Sequence, residues 1–200
     1  MSKIKFTANG SGSATFDIQS PNTSTDRTIT IPDKAGGLAL GAGTIVQITQ
    51  VTKTDTFEVT GSTYTDVTGM SVSITPTSAS NKILVLLHVH YSGGQNAGPG
   101  IKLFRGSTQI HMGDTASGRD TVTCGGEDLT NTDNGNYTIQ MGSATFLDSP
   151  ATTSSTTYKI QLRGRDSFGA GYSNRTQTDL DDVHSGKRTA SSITLLEVQA

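Results

Sequence analysis

Apolar and polar residues alternate in short runs along most of the chain. From residue 44 onward the runs TIVQITQVT, TFEVTG, TYTDVTG, MSVSIT, KILVLLHVHYS, GIKLFRGSTQI, NYTIQMGSATFLDS, TYKIQLRGR and SSITLLEVQ keep a period near two, with Gly, Asn, Asp, Pro or Ser between most of them. That is the signature of half-buried strands joined by turns. Eight or nine such strands in about 155 residues predict an all-β fold, an antiparallel jelly-roll sandwich. The run from Lys82 to Tyr91 breaks the alternation, because Ile83, Val85, Leu87 and Val89 fill one face while Leu84 and Leu86 begin the other. A strand apolar on both faces is expected mid-sheet and covered on both sides, one face lining the core and the other an interface between subunits. His88 and His90 continue the Leu84–Leu86 face.

The first forty residues hold shorter pieces, KIKFTA, SATFDIQ and RTITIPD, whose large apolar groups are Ile4, Phe6, Phe16, Ile18, Ile29 and Ile31. So few groups cannot offset chain entropy alone, and copies of the same module are the simplest partner. The glycines at 41 and 43 mark a boundary, with a small N-terminal attachment and trimerisation β-module over 1–42 and a C-terminal jelly-roll head over 43–200. The polar, Gly-rich segments Met112–Asn136 and Asp166–Lys187 have no period and read as surface loops, the natural contact surface of such a head.

Composition supports strands and narrows the partners. Thr and Ser make up roughly a quarter of the chain, and Thr suits a half-exposed pleat. Charged residues are 16% against the usual quarter or so, so hydroxyls and amides must carry solubility. A net charge of −2 offers no basic face, and no nucleic-acid partner is expected. No apolar run approaches the ~20 residues that span a bilayer, so no membrane insertion is expected. The first residues lack the apolar stretch of a secretory signal, so synthesis in a cytoplasm is expected. Cys124 is the single cysteine and reads as a small, half-buried residue.

The stretch DRTITIPDKAGGLAL, Asp26 to Leu40, resembles a segment frequent in fibre and appendage proteins of tailed phages, especially those of marine and cyanobacterial hosts. The remainder, including IVQITQVTKTD, LFRGSTQI, FLDSPATTSSTTYKIQLRG and SSITLLEV, is similar in pattern to the trimeric jelly rolls of the tumour necrosis factor and complement globular-head type. The resemblance implies a homotrimeric virion structural protein. Its N-terminal module would attach to other virion proteins, and its head would face outward to contact the host surface, including surface glycans. A tail fibre or appendage is one form and a capsid decoration protein, cement or head fibre, the alternative. In such trimers the two-faced strand lies near the threefold axis, but small polar residues usually stand where this chain has His88 and His90.

Candidate chemistry is sparse. Three H-x-H strands around an axis could bring six imidazoles to one metal ion, as in some phage fibres, and imidazole suits Zn, Fe, Ni or Cu. The other reading of His88 and His90 is a packed or solvent-facing pair, and no other cofactor is implied. Phe168 and Tyr172, in DSFGAGYSN, are the loop aromatics that could contact a receptor. No enzyme is expected. A glycan hydrolase, the remote alternative, would need two carboxylates at a set separation, drawn from Asp179, Asp181, Asp182, Asp114, Asp120, Glu127 and Asp128. The Asp179–Asp182 cluster could equally be a weak Ca²⁺ site.

Overall fold

The computed structural model describes residues 42–94, 98–126, 137–165 and 169–200. The module expected over 1–42 lies outside the described residues except for its last residue, and Phe168, Glu127 and Asp128 lie outside them too. The described chain is all β. In chain order its strands are β1 (Ile45–Lys53), β2 (Phe57–Val59), β3 (Thr65–Ile74), β4 (Lys82–Gly93), β5 (Gly100–Arg105), β6 (Thr108–Ile110), β7 (Cys124–Gly125), β8 (Gln140–Asp148), β9 (Thr156–Arg163), β10 (Gly171–Ser173) and β11 (Ser191–Val198).

They form two antiparallel sheets. In the first, β4 pairs with β8 on one edge; on the other it pairs with β11, which in turn pairs with β1, and further along with β10, which pairs with β2. The second sheet has the order β3-β9-β5-β6, with β7 also on β5. Both sheets contribute alternate residues to one core: Ile83, Val85, Leu87 and Val89 with Ile193 and Leu195 from the first, and Met70, Val72, Ile101, Leu103, Tyr158 and Ile160 from the second. This arrangement is compatible with the expected sandwich.

Three local differences from the sequence reading have physical causes. TYTDVTG and MSVSIT are one strand, β3, because a register shift between Asp66 and Ser71 absorbs Gly69, which sits at φ +83° over the buried stem of Lys53. GIKLFRGSTQI is a hairpin, turning at Gly106 with φ +57°. The segments read as surface loops are partly built in. The β11 ladder on β4 ends at the pair Ser192–His88, which leaves the far end of β4 an open edge, and Gly171–Ser173 fills it. Asn174 and Thr176 just beyond are fully buried.

One buried acid ties the first sheet to its surroundings. Glu197 of β11 is fully buried, and its carboxylate accepts hydrogen bonds from Asn81 Nδ2 (2.6 Å), Gln47 Nε2 (2.5 Å), and Thr77 N (2.7 Å) and Oγ1 (2.8 Å). Beside it, Gly43 N donates to Gln199 O at 2.8 Å and Gln199 N to Thr44 O at 2.9 Å, so the strand ends leading into β1 and out of β11 are clamped together. Burial pushes the Glu197 pKa up, but the donors from Asn81, Gln47 and Thr77 outweigh it and hold the group below its ordinary value.

A depressed folded-state pKa gives stability that is present above the unfolded value, about 4.3, and is lost as pH falls through the folded value. Glu197→Gln, which leaves donors facing an amide nitrogen, is expected to cost on the order of 2 kcal/mol at neutral pH. The same variant should flatten the fall in stability below about pH 4.5. Denaturant titrations of both proteins between pH 3 and 7 measure this, and equal pH slopes would refute it.

Candidate functional site

The register fixes which side chains share the face of the first sheet that points away from the core. Four rows cross it. Ile48, Leu196, Leu84 and Leu147 form the first, Gln50, Thr194, Leu86 and Thr145 the second, Thr52, Ser192, His88 and Ser143 the third, and His90 with Met141 the fourth. The first row is apolar across four strands and open to solvent, with Ile48 61% and Leu147 54% exposed. Ile45 and Val46, exposed at the bulge that starts β1, extend it. Among these rows and their flank at Lys82, the Lys82 side chain is the one formal charge outside the histidines, and it donates to Ser149 Oγ at 2.7 Å.

The outward face of the second sheet is different in kind. Asp66 accepts from Lys159 Nζ (2.6 Å) and Gln161 Nε2 (2.8 Å). Asp120 gathers Tyr64 Oη, Lys102 Nζ at 3.0 Å and Arg163 Nη2 at 3.1 Å, while Lys102 lies 4.0 Å over the Tyr64 ring. This cluster was not legible in the sequence, since its members come from four separate segments and nothing in their spacing joins them. It forms a charged, internally paired surface.

His88 and His90 do share the outward face of β4 with Leu84 and Leu86; His88 is exposed and His90 half-buried. His90 Nδ1 lies 2.8 Å from Ala190 O, and His90 N takes Ser191 Oγ as acceptor at 2.9 Å. Tyr172 is a strand residue in β10, not a loop tip, and the Arg175 guanidinium covers one face of its ring at 4.1 Å while also pairing with Glu58 at 2.8 Å. Burial, and then the Glu58 charge, raise its phenol pKa. Burial likewise pushes the Cys124 thiol up to about 11, the opposite of what a nucleophilic thiolate needs.

The acidic segment after β10 lines a cavity of about 420 Å³ with Asp179, Asp181, Asp182, Leu180, Val183 and Arg188. Two of its carboxylates are engaged with their surroundings. Asp179 takes two bonds from Arg188 and lies 3.3 Å from Arg175, and Asp182 accepts from His184 N (3.0 Å) and Ser185 N (3.2 Å). Those bonds hold both acids below the ordinary range, whereas a general acid needs the reverse. Among the described residues no three His, Cys, Asp or Glu side chains are grouped closely enough to hold a metal ion.

No protein-family model and no curated protein matches the chain. One solved structure, described as the structure of infectious bursal disease virus Gx strain, is similar at 12% identity and a TM-score of 0.40, over 87% of this chain and 47% of that one. The chain thus spans about half the length of that neighbour.

The segment that carries Tyr172 and the acids is anchored by Asn174. This residue adopts φ +61°, donates from Nδ2 to Lys53 O (2.9 Å) and Asp55 O (3.0 Å), and accepts from Ser191 Oγ at 2.6 Å. Asn174→Ala strands these buried groups and is expected to lower stability by about 2–4 kcal/mol. Thermal unfolding checks this, with no loss as the contrary result.

Proposed function

We propose that the chain is a virion structural protein. It would be a homotrimeric appendage of tail-fibre type, whose jelly-roll head is carried by the N-terminal module and contacts the host surface. The observation that carries this reading is the contrast between the two outward sheet faces. One is apolar in its first row, hydroxyl-rich in the next two and almost uncharged, whereas the other is closed by paired charges.

Exposed apolar rows of this kind mark contact surfaces. Fully burying a Leu or Ile side chain contributes about 1.5–3 kcal/mol. Ile45, Ile48 and Leu147, each more than half exposed, therefore leave several kcal/mol per chain to be gained by covering the face. Further copies of the same face, arranged about a threefold axis, are the proposed cover, and the strand order β1-β11-β4-β8 against β3-β9-β5-β6 suits a jelly-roll head. The resemblance of DRTITIPDKAGGLAL to phage appendage segments supports the virion setting. Three weak head contacts acting together would suit reversible adsorption.

Light scattering at micromolar concentration is expected to give three chains per particle. Ile48→Lys and Leu147→Lys, at positions where the single chain tolerates charge, should give folded monomers. A monomeric parent protein would overturn the assembly. Immunogold labelling of particles should mark the tail, and label on the capsid face would replace the fibre by a decoration protein.

A further inference from the structure

We propose that His88, His90 and Met141 of a single chain form a binding site for a soft monovalent metal ion, Cu(I). The ladder between β4 and β8 pairs His90 with Met141 and His88 with Ser143. On one face of an antiparallel pair, Cβ atoms directly opposite lie about 4.5–5.5 Å apart and diagonal neighbours about 7–8 Å. Met141 is thus the direct neighbour of His90 and the diagonal neighbour of His88, within reach of a common ion.

The His90 ring is prepared for such a role. Its Nδ1 lies 2.8 Å from Ala190 O, and a carbonyl oxygen can only accept, so the proton resides on Nδ1. The lone pair is left on Nε2 at the outer end of the ring. A second ring nitrogen held by a backbone carbonyl is the usual support of a ligating histidine.

Met141 is 61% exposed and lies three rows from the apolar row of Ile48, Leu196, Leu84 and Leu147, so its thioether is not accounted for by that row. Its neighbours across and along the face are His90, His88 and Ser143. The donors here are two imidazoles and a thioether with no carboxylate or thiolate among them, a poor match for a hard or borderline ion such as Ca²⁺ or Zn²⁺. Two imidazoles and a thioether favour a soft ion instead. All three donors belong to one chain, so the ligand set needs no residue of a second copy.

The test is a titration of the full chain, anaerobically with ascorbate, against Cu(I) presented as its bicinchoninate complex. The expected stoichiometry is one Cu(I) per chain, and copper X-ray absorption should report two nitrogen neighbours and one sulfur. Met141→Leu should weaken binding by about tenfold or more. Its melting temperature should stay within about 2 °C of the parent, as an exposed substitution allows. Ser143→Ala should bind as the parent does. One ion per three chains would point to an axial site built from histidines of three copies and would overturn the proposal. So would a Met141→Leu protein that binds as tightly as the parent, or a parent that takes no Cu(I) from bicinchoninate.

Discussion

The rest of the structure depends on β4 having both edges hydrogen-bonded. On one side β8 runs beside it for nine residue pairs, from Ile83–Asp148 to Tyr91–Gln140. On the other, β11 covers it as far as His88 and β10 covers it from Tyr91 onward. A chain with so little charge and so few large apolar groups has little with which to offset unpaired backbone, and unpaired buried peptide groups are costly. The handover from β11 to β10 near His90 is the point where that requirement is hardest to meet. Ser191, Asn174 and Ser173 gather there, with Asn174 N and Ser173 Oγ both donating to His90 O.

Much of the fold was legible because strand periodicity survives in a Thr- and Ser-rich chain. The alternation in SSITLLEVQ and TYKIQLRGR gives β11 and β9 with the correct faces, Ile193 and Leu195 inward, Thr194 and Leu196 outward. What failed was punctuation. Gly69 looks like a turn but is a bulge, since a glycine at positive φ serves either purpose and only the partner strand decides. The short strands β7 and β10 have no period to detect, because two or three residues recruited by an open edge need no pattern of their own. The histidine face was readable from i, i+2 parity. Met141 was not, because its place beside His90 is a matter of cross-strand register, which local sequence does not encode.

Placing the hydroxyls and the paired charges on opposite sheets gives one domain two different surfaces without changing its core. On the second sheet, carboxylates and cations satisfy one another across β3, β5 and β9, so that surface is wetted yet offers few unpaired groups. On the first, Gln50 Nε2 donates to Thr194 Oγ1 at 2.6 Å, and such short hydroxyl and amide bonds leave a surface that loses little on being dehydrated.

The clamp of Gly43 and Thr44 against Gln199 has a mechanical meaning. A pull on the segment preceding residue 43, directed along β1, does not peel that strand away one bond at a time. It loads the β1–β11 ladder, from Ile45–Val198 to Lys53–Ser191, lengthwise and all at once. Resistance to force is then set by many peptide bonds sharing the strain in parallel, with the buried Glu197 carboxylate and its donors bracing the end where the strain first arrives.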